Sequence, residues 1–137
     1  MAKNDTFHCS VITPERAVLE TEATFVALPA HDGELGVLRN RAPMLYKLGT
    51  GELRIDTPEG KKYLYVDGGF AQMVENRLTL LTEQAKRLEE IDTAAVDRAF
   101  AEARALPKGS EPALRALKRA TVQKNMLAKR RPDEANR

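Results

Sequence analysis

Few side chains in this sequence could do chemistry, and their spacing does not suit it. The single cysteine, Cys9, alternates with Phe7 and Val11, and a strand face of that kind buries a thiol rather than activating it. His8 and His31 share no metal-ligand spacing with each other or with Cys9, which argues against a metal site. Gly33-Glu34-Leu35-Gly36 has the glycine content of a phosphate loop but lacks the Lys-Ser/Thr ending and the following helix. It reads instead as a strand-connecting turn. Gly68-Gly69 falls between two strand-like runs and predicts a bulge or a close backbone approach. No poised acid, base or nucleophile is left, so no catalytic, cofactor-binding or metal-binding residue is assigned, and the chain reads as a non-enzyme.

The elements that would carry any function change character along the chain. At 137 residues there is room for one ordinary domain, or for a compact domain with a helical appendage. Phe7, Cys9 and Val11 point one way and His8, Ser10 and Ile12 the other, until Thr13-Pro14-Glu15-Arg16 interrupts with turn chemistry. Residues 18–28 read as one β-rich run with Glu20, Glu22 and Thr24 on a solvated face, ended by Pro29 and His31-Asp32-Gly33. Short strand-like stretches follow at 35–38, 45–48, 52–56, 61–67, 70–75 and 77–82. Pro58-Glu59-Gly60 is a hairpin turn between two of them. Many short strands with no helix between them favour an antiparallel sandwich.

Near residue 85 the composition switches to alanine: Ala94, Ala95, Ala99, Ala101, Ala103 and Ala105 predict a helix with Asp92 or Thr93 as its cap. Leu106 to Pro112 stops it and starts a second helix that runs to about Arg131, where Pro132 ends it. A loop this short makes the two antiparallel. The fold class is therefore α+β: an antiparallel β-sandwich over 1–86 and an antiparallel α-helical hairpin over 87–137.

Charge splits between the helices. Across 88–103 the acids Glu89, Glu90, Asp92, Asp97 and Glu102 face one base, Arg98. Across 113–131 the bases Arg115, Lys118, Arg119, Lys124, Lys129, Arg130 and Arg131 meet no acid. The expected seam is thin: Ile91, Ala95, Ala99, Ala103 and Leu106 against Leu114, Leu117, Ala120 and Leu127. A seam of methyl groups buries little area, so the hairpin is expected either to dock on the sandwich through Phe100 and Met126 or to open readily, as a switch would.

Composition bounds the partners. Net charge is only +2, with no Trp and 5 % aromatics, so stacking on single-stranded nucleic acid is poorly supported. One cysteine permits no internal disulfide and points to a reducing compartment. No apolar run is long enough to span a bilayer, and Met-Ala-Lys-Asn-Asp does not begin a signal peptide. A cytosolic protein, or one attached to a membrane machine from the cytosolic side, is expected.

The segment from Pro29 through Gly33-Glu34-Leu35-Gly36 to Ala42-Pro43-Met44-Leu45, then Leu48-Gly49-Thr50-Gly51 and Tyr65-Val66-Asp67-Gly68-Gly69-Phe70, strongly resembles the epsilon subunit of bacterial and chloroplast F-type ATP synthases. The resemblance, with the same domain order, covers about residues 5–131. It implies a non-catalytic central-stalk subunit that needs no cofactor and couples rotation to proton flow. Its partners would be the gamma subunit, the c-ring and, through an extended hairpin, the beta and alpha subunits, with no nucleic acid and no bilayer insertion. Peripheral attachment to the cytoplasmic face of a bacterial inner membrane follows, rather than to a plastid membrane.

By motif, Asp32, Glu34, Arg39 and Arg41 fall in the ring-facing loops, and Arg115, Lys118, Arg119, Lys124, Lys129 and Arg130 on the helix whose extended form inhibits ATP hydrolysis. Three departures stand out. Leu38-Arg39-Asn40-Arg41-Ala42-Pro43 lacks the family's first proline and has arginine for histidine. Gly49-Thr50-Gly51 replaces Lys-Pro-Gly and reads as a looser turn. Some members bind ATP through I/L-D-x-x-R-A, but here Ala95 stands where the arginine belongs. A nucleotide-sensing hairpin would have to use Asp92, Arg98, Arg115 and Arg119, and nucleotide binding is expected to be absent. The remaining alternative is a basic-helix adaptor for RNA or a membrane surface.

Overall fold

The alternation in the first strand is reproduced in the computed structural model, which describes residues 5–129. In β1 (Phe7–Ile12), Phe7, Cys9 and Val11 are buried while His8, Ser10 and Ile12 are only half-buried. The following strands are β2 (Ala17–Ala23), β3 (Phe25–Ala30), β4 (Gly33–Val37), β5 (Met44–Lys47) and β6 (Thr50–Thr57). After them come β7 (Gly60–Asp67), β8 (Phe70–Val74), β9 (Arg77–Leu81) and β10 (Ala85–Arg87). They form two five-stranded sheets, ordered β2-β1-β9-β8-β5 and β10-β7-β6-β3-β4. The inner faces share one apolar core in which Leu28, Leu53, Ile55, Leu64, Met73, Leu78 and Leu80 are fully buried.

β1 and β9 run parallel at the centre of one sheet, whereas β1–β2, β3–β4, β3–β6, β5–β8, β6–β7 and β8–β9 pair antiparallel. The expected single run over 18–28 divides at Thr24. Its N–H and hydroxyl both donate to the Asp56 carbonyl, at 2.7 and 3.1 Å. That anchor turns the chain from the first sheet into the second, so β2 and β3 lie in different layers. Gly33-Glu34-Leu35-Gly36, expected as a turn, is itself strand β4, and His31-Asp32 is the two-residue turn before it.

Pro58-Glu59 makes the predicted hairpin turn, with the Thr57 hydroxyl donating to the Gly60 carbonyl at 2.7 Å and accepting from Glu59 N–H at 3.2 Å. Gly69, at φ 105°, carries the predicted close approach, since a Cβ there would overlap the Leu81 carbonyl. Gly51 is not part of a loose turn. It lies within β6, where a Cβ would sit 2.7 Å from the Pro29 ring, so glycine here serves close packing.

The chain divides into two compact units between Lys86 and Arg87. In the second unit, Asp92 caps α1 (Thr93–Ala105) by accepting from Ala95 N–H at 3.3 Å. Leu106 is extended, and Gly109 turns the chain at φ 79°. Ser110 caps α2 (Glu111–Lys129), its hydroxyl oxygen accepting from Ala113 N–H at 3.3 Å, with Pro112 in the first turn. The expected end of α2 near Arg131 lies outside the described residues.

α1 packs on α2, and most of the expected seam is covered: Ile91, Ala103 and Ala120 are buried and Ala95, Ala99, Leu117 and Leu127 half-buried, with two exceptions. Leu114 is 57 % exposed and Leu106 38 % exposed, whereas Val96, Ala103, Ala113, Ala120 and Met126 are buried. Along α2, Ala113 and Ala120, seven apart and so on one face, are buried, while Leu114 next to Ala113 falls on the exposed side. At Leu106 the helix has already ended, so that side chain no longer follows the α1 face.

Candidate interaction surfaces

Three surfaces carry the candidate residues or invite a partner, two on the sandwich and one on the hairpin. β4 is the outer strand of its sheet and β5 the outer strand of the other, and the crossing 38–43 joins them. Asp32 lies in the turn before β4, and Glu34 faces outward opposite Pro29; both are exposed. Arg39, exposed, and Arg41, half-buried, follow the other end of the strand. Five residues of strand extend about 13 Å. In chain order the two acids precede or begin β4 and the two bases follow it in the crossing.

The second surface was not singled out by the sequence. Strand registers align Lys47, Phe70, Leu81, Ile12 and Ala17 in one row across all five strands of the β1 sheet. These positions point away from the core. Phe70 is 52 % and Leu81 54 % exposed, and Leu45 on the neighbouring row is 68 % exposed. Farther along the same outer face lie Val74, Arg77, His8 and Glu22 in register. The ring nitrogens of His8 meet Glu20 at 3.4 Å and Glu22 at 3.2 Å. The face therefore grades from apolar to charged. Its signal in the sequence is two pairs of apolar neighbours, Val11-Ile12 and Leu80-Leu81, in each of which only one member can face the core.

On the hairpin, Arg115, Lys118, Arg119, Lys124 and Lys129 are all exposed on α2, and Arg130 lies outside the described residues. Arg115 is paired at 2.6 Å with Glu111 of its own helix. Lys124 lies 5.2 Å over the Phe100 ring of α1, and Arg104 lies 5.5 Å over the same ring. Among the weak nucleotide candidates, Asp92 is engaged as a helix cap and Arg115 in its ion pair, while Arg98 is exposed on α1.

Cys9 is buried, and burial pushes its thiol up to about 12. Among the described residues no group of His, Cys, Asp and Glu could hold a metal ion, and no helix is long and apolar enough to cross a membrane.

A family model described as the β-sandwich domain of the ATP synthase delta/epsilon chain matches residues 6–88. The chain is 45 % identical over 116 residues to an ATP synthase epsilon chain of Rhodopirellula baltica, a match spanning 85 % of this chain and 90 % of that one. It is 39 % identical over 113 residues to the epsilon chain of Solibacter usitatus, across 80 % and 84 % of the two chains. A chain in the cryo-EM structure of the Euglena gracilis mitochondrial ATP synthase (OSCP/F1/c-ring, rotational state 1) shares the fold with a TM-score of 0.79. That match has 23 % identity and covers 90 % of this chain and 82 % of that one.

Proposed function

The chain belongs to the ATP synthase delta/epsilon family, and from that premise we propose that it is a non-catalytic central-stalk subunit of a proton-translocating synthase. The sandwich docks a gamma subunit through the outer face of the β1 sheet. The observation that carries this is the exposed row centred on Phe70 and Leu81, since an apolar patch on a sheet face with a charged margin has the character of a protein interface. The β4 edge, with Asp32 and Glu34 at its start and Arg39 and Arg41 in the crossing beyond it, faces the polar loops of the c-ring. The hairpin restrains ATP hydrolysis by presenting Lys118, Arg119, Lys124 and Lys129 to acidic surfaces of the beta and alpha subunits. Position on the cytoplasmic face of a bacterial membrane, held by these protein contacts, completes the reading.

The test adds the full chain back to a synthase lacking this subunit. The wild-type chain is expected to co-purify with gamma, and a Phe70→Asp, Leu81→Asp variant to lose that binding. Truncation after Arg87 should leave binding and coupling intact while ATP hydrolysis rises. Unchanged hydrolysis would remove the inhibitory role, and failure of the wild-type chain to bind gamma would remove the whole assignment.

A further inference from the structure

The crossing 38–43 leaves one sheet and enters the other, and a connection of that kind is free to move unless something holds it. One residue of it is held from both sides. Asn40 N–H donates to Asn76 Oδ1 at 2.7 Å, and Asn76 Nδ2 donates back to Asn40 Oδ1 at 3.1 Å. Both residues have positive φ, 66° for Asn40 and 61° for Asn76, a conformation that asparagine accepts more readily than most side chains. The Asn76 carbonyl also accepts from His8 N–H at 3.0 Å. Asn76 therefore ties together the β8–β9 turn, the start of β1 and the crossing. The residues on either side of the clamped position are Arg39 and Arg41.

We propose that the reciprocal Asn40–Asn76 pair is a positioning device that presents Arg39 and Arg41 as a preformed cationic contact for the polar loops of the ring. The inference rests on the β4 edge being the ring-facing surface. A clamped crossing is already ordered before the encounter, whereas a free one would have to be ordered during it. Asn40 and Asn76 touch no partner in this scheme. They act through the two arginines, and their side chains are spent on each other.

The experiment measures the affinity of the full chain for a detergent-solubilised synthase lacking this subunit, over a series of salt concentrations. Asn76→Gly removes both hydrogen bonds of the clamp and Asn40→Gly the returning one, and glycine at either place keeps the positive φ. Each should weaken binding about tenfold and flatten its salt dependence, as should Arg39→Gln with Arg41→Gln. Combining N76G with both arginine changes should weaken binding no further than the arginine changes alone. Asn76→Asp retains an oxygen to accept the Asn40 N–H and should recover most of the affinity. The salt dependence separates positioning from simple loss of stability, because a destabilised chain with intact arginines would keep its salt response. If the arginine changes weaken binding while N76G and N40G do not, or if the effects add, the clamp has no positioning role and the ring-facing reading stands. If the arginine changes alter neither affinity nor salt response, that reading falls and the inference falls with it.

Discussion

The sandwich buries Phe7, Leu28, Leu53, Ile55, Leu64, Met73, Leu78 and Leu80 between two sheets, whereas the helices α1 and α2 bury Val96, three alanines and Met126. A fully buried leucine or isoleucine is worth about 1.5–3 kcal/mol, and each buried methylene about 0.8 kcal/mol, so the alanine seam yields much less per residue. The sandwich has stability to spare for fixed geometry, such as the Gly69 approach and the Asn40–Asn76 clamp. The hairpin is held more lightly, as an element that must open would be. Nothing in local helix propensity separates the two cases. α1 is rich in strong helix formers, yet Val96 and Ala103 are its buried residues.

The largest expected effect tests this asymmetry directly. Leu53→Ala should destabilise the sandwich by about 2–5 kcal/mol in urea denaturation followed through β-sheet signal. Ala120→Gly should cost the hairpin only about 1 kcal/mol, read from amide exchange along α1 and α2. An alanine change as costly as the leucine change would show a hairpin as firmly held as the sandwich, and the comparison would fail.

A smaller effect, near pH 10, sharpens the sandwich half. The Cys9 thiol is pushed up to about 12 by burial, against 9.0 as its ordinary value. The folded state therefore keeps a proton that the unfolded state releases. The thiol's contribution is fully present below pH 9 and is lost as pH rises toward 12. The loss should be about 1.4 kcal/mol per pH unit within that window. Comparing the wild type with Cys9→Ala from pH 8 to 10.5 isolates this slope from other titrations. Parallel curves would mean that the core around Cys9 admits water.

Much of this asymmetry was legible in the sequence, because it follows from local patterns. Alternation at Phe7, Cys9 and Val11 and the glycines between strands implied a sandwich, and the alanine block implied a lightly packed hairpin. The breaks came where distant residues decide. Thr24 divides an apparently continuous run because of Asp56, which lies far along the chain. The parallel pairing of β1 with β9 joins the two ends of the sandwich and has no local signature. Leu114 looked like a core residue, yet it is exposed and its neighbour Ala113 is buried instead. The surfaces were harder still. Glu34 and Arg41 belong to one motif, yet one lies within β4 and the other in the crossing beyond it, and the apolar row emerges only when the strand registers are laid side by side. Asn40 and Asn76 carry no pattern at all until the fold brings them together.

The smallest expected effect asks whether the light hairpin is closed. Phe100 on α1 has two cations over its ring: Arg104, four residues on along the same helix, and Lys124, which comes from α2. Exposed cation–ring contacts are worth about 0.5–1 kcal/mol. The Phe100–Arg104 contact needs only α1 to be helical, whereas the Phe100–Lys124 contact needs the two helices side by side. Double-mutant cycles with Phe100→Leu against Arg104→Gln, and against Lys124→Gln, therefore report on different things. In the isolated full chain both coupling energies should be measurable by amide exchange in the helices. A Lys124 coupling of zero beside a retained Arg104 coupling would describe helices that form without pairing. Two similar values would place the hairpin closed at rest, with Lys124 held on Phe100 and released only when α2 moves away.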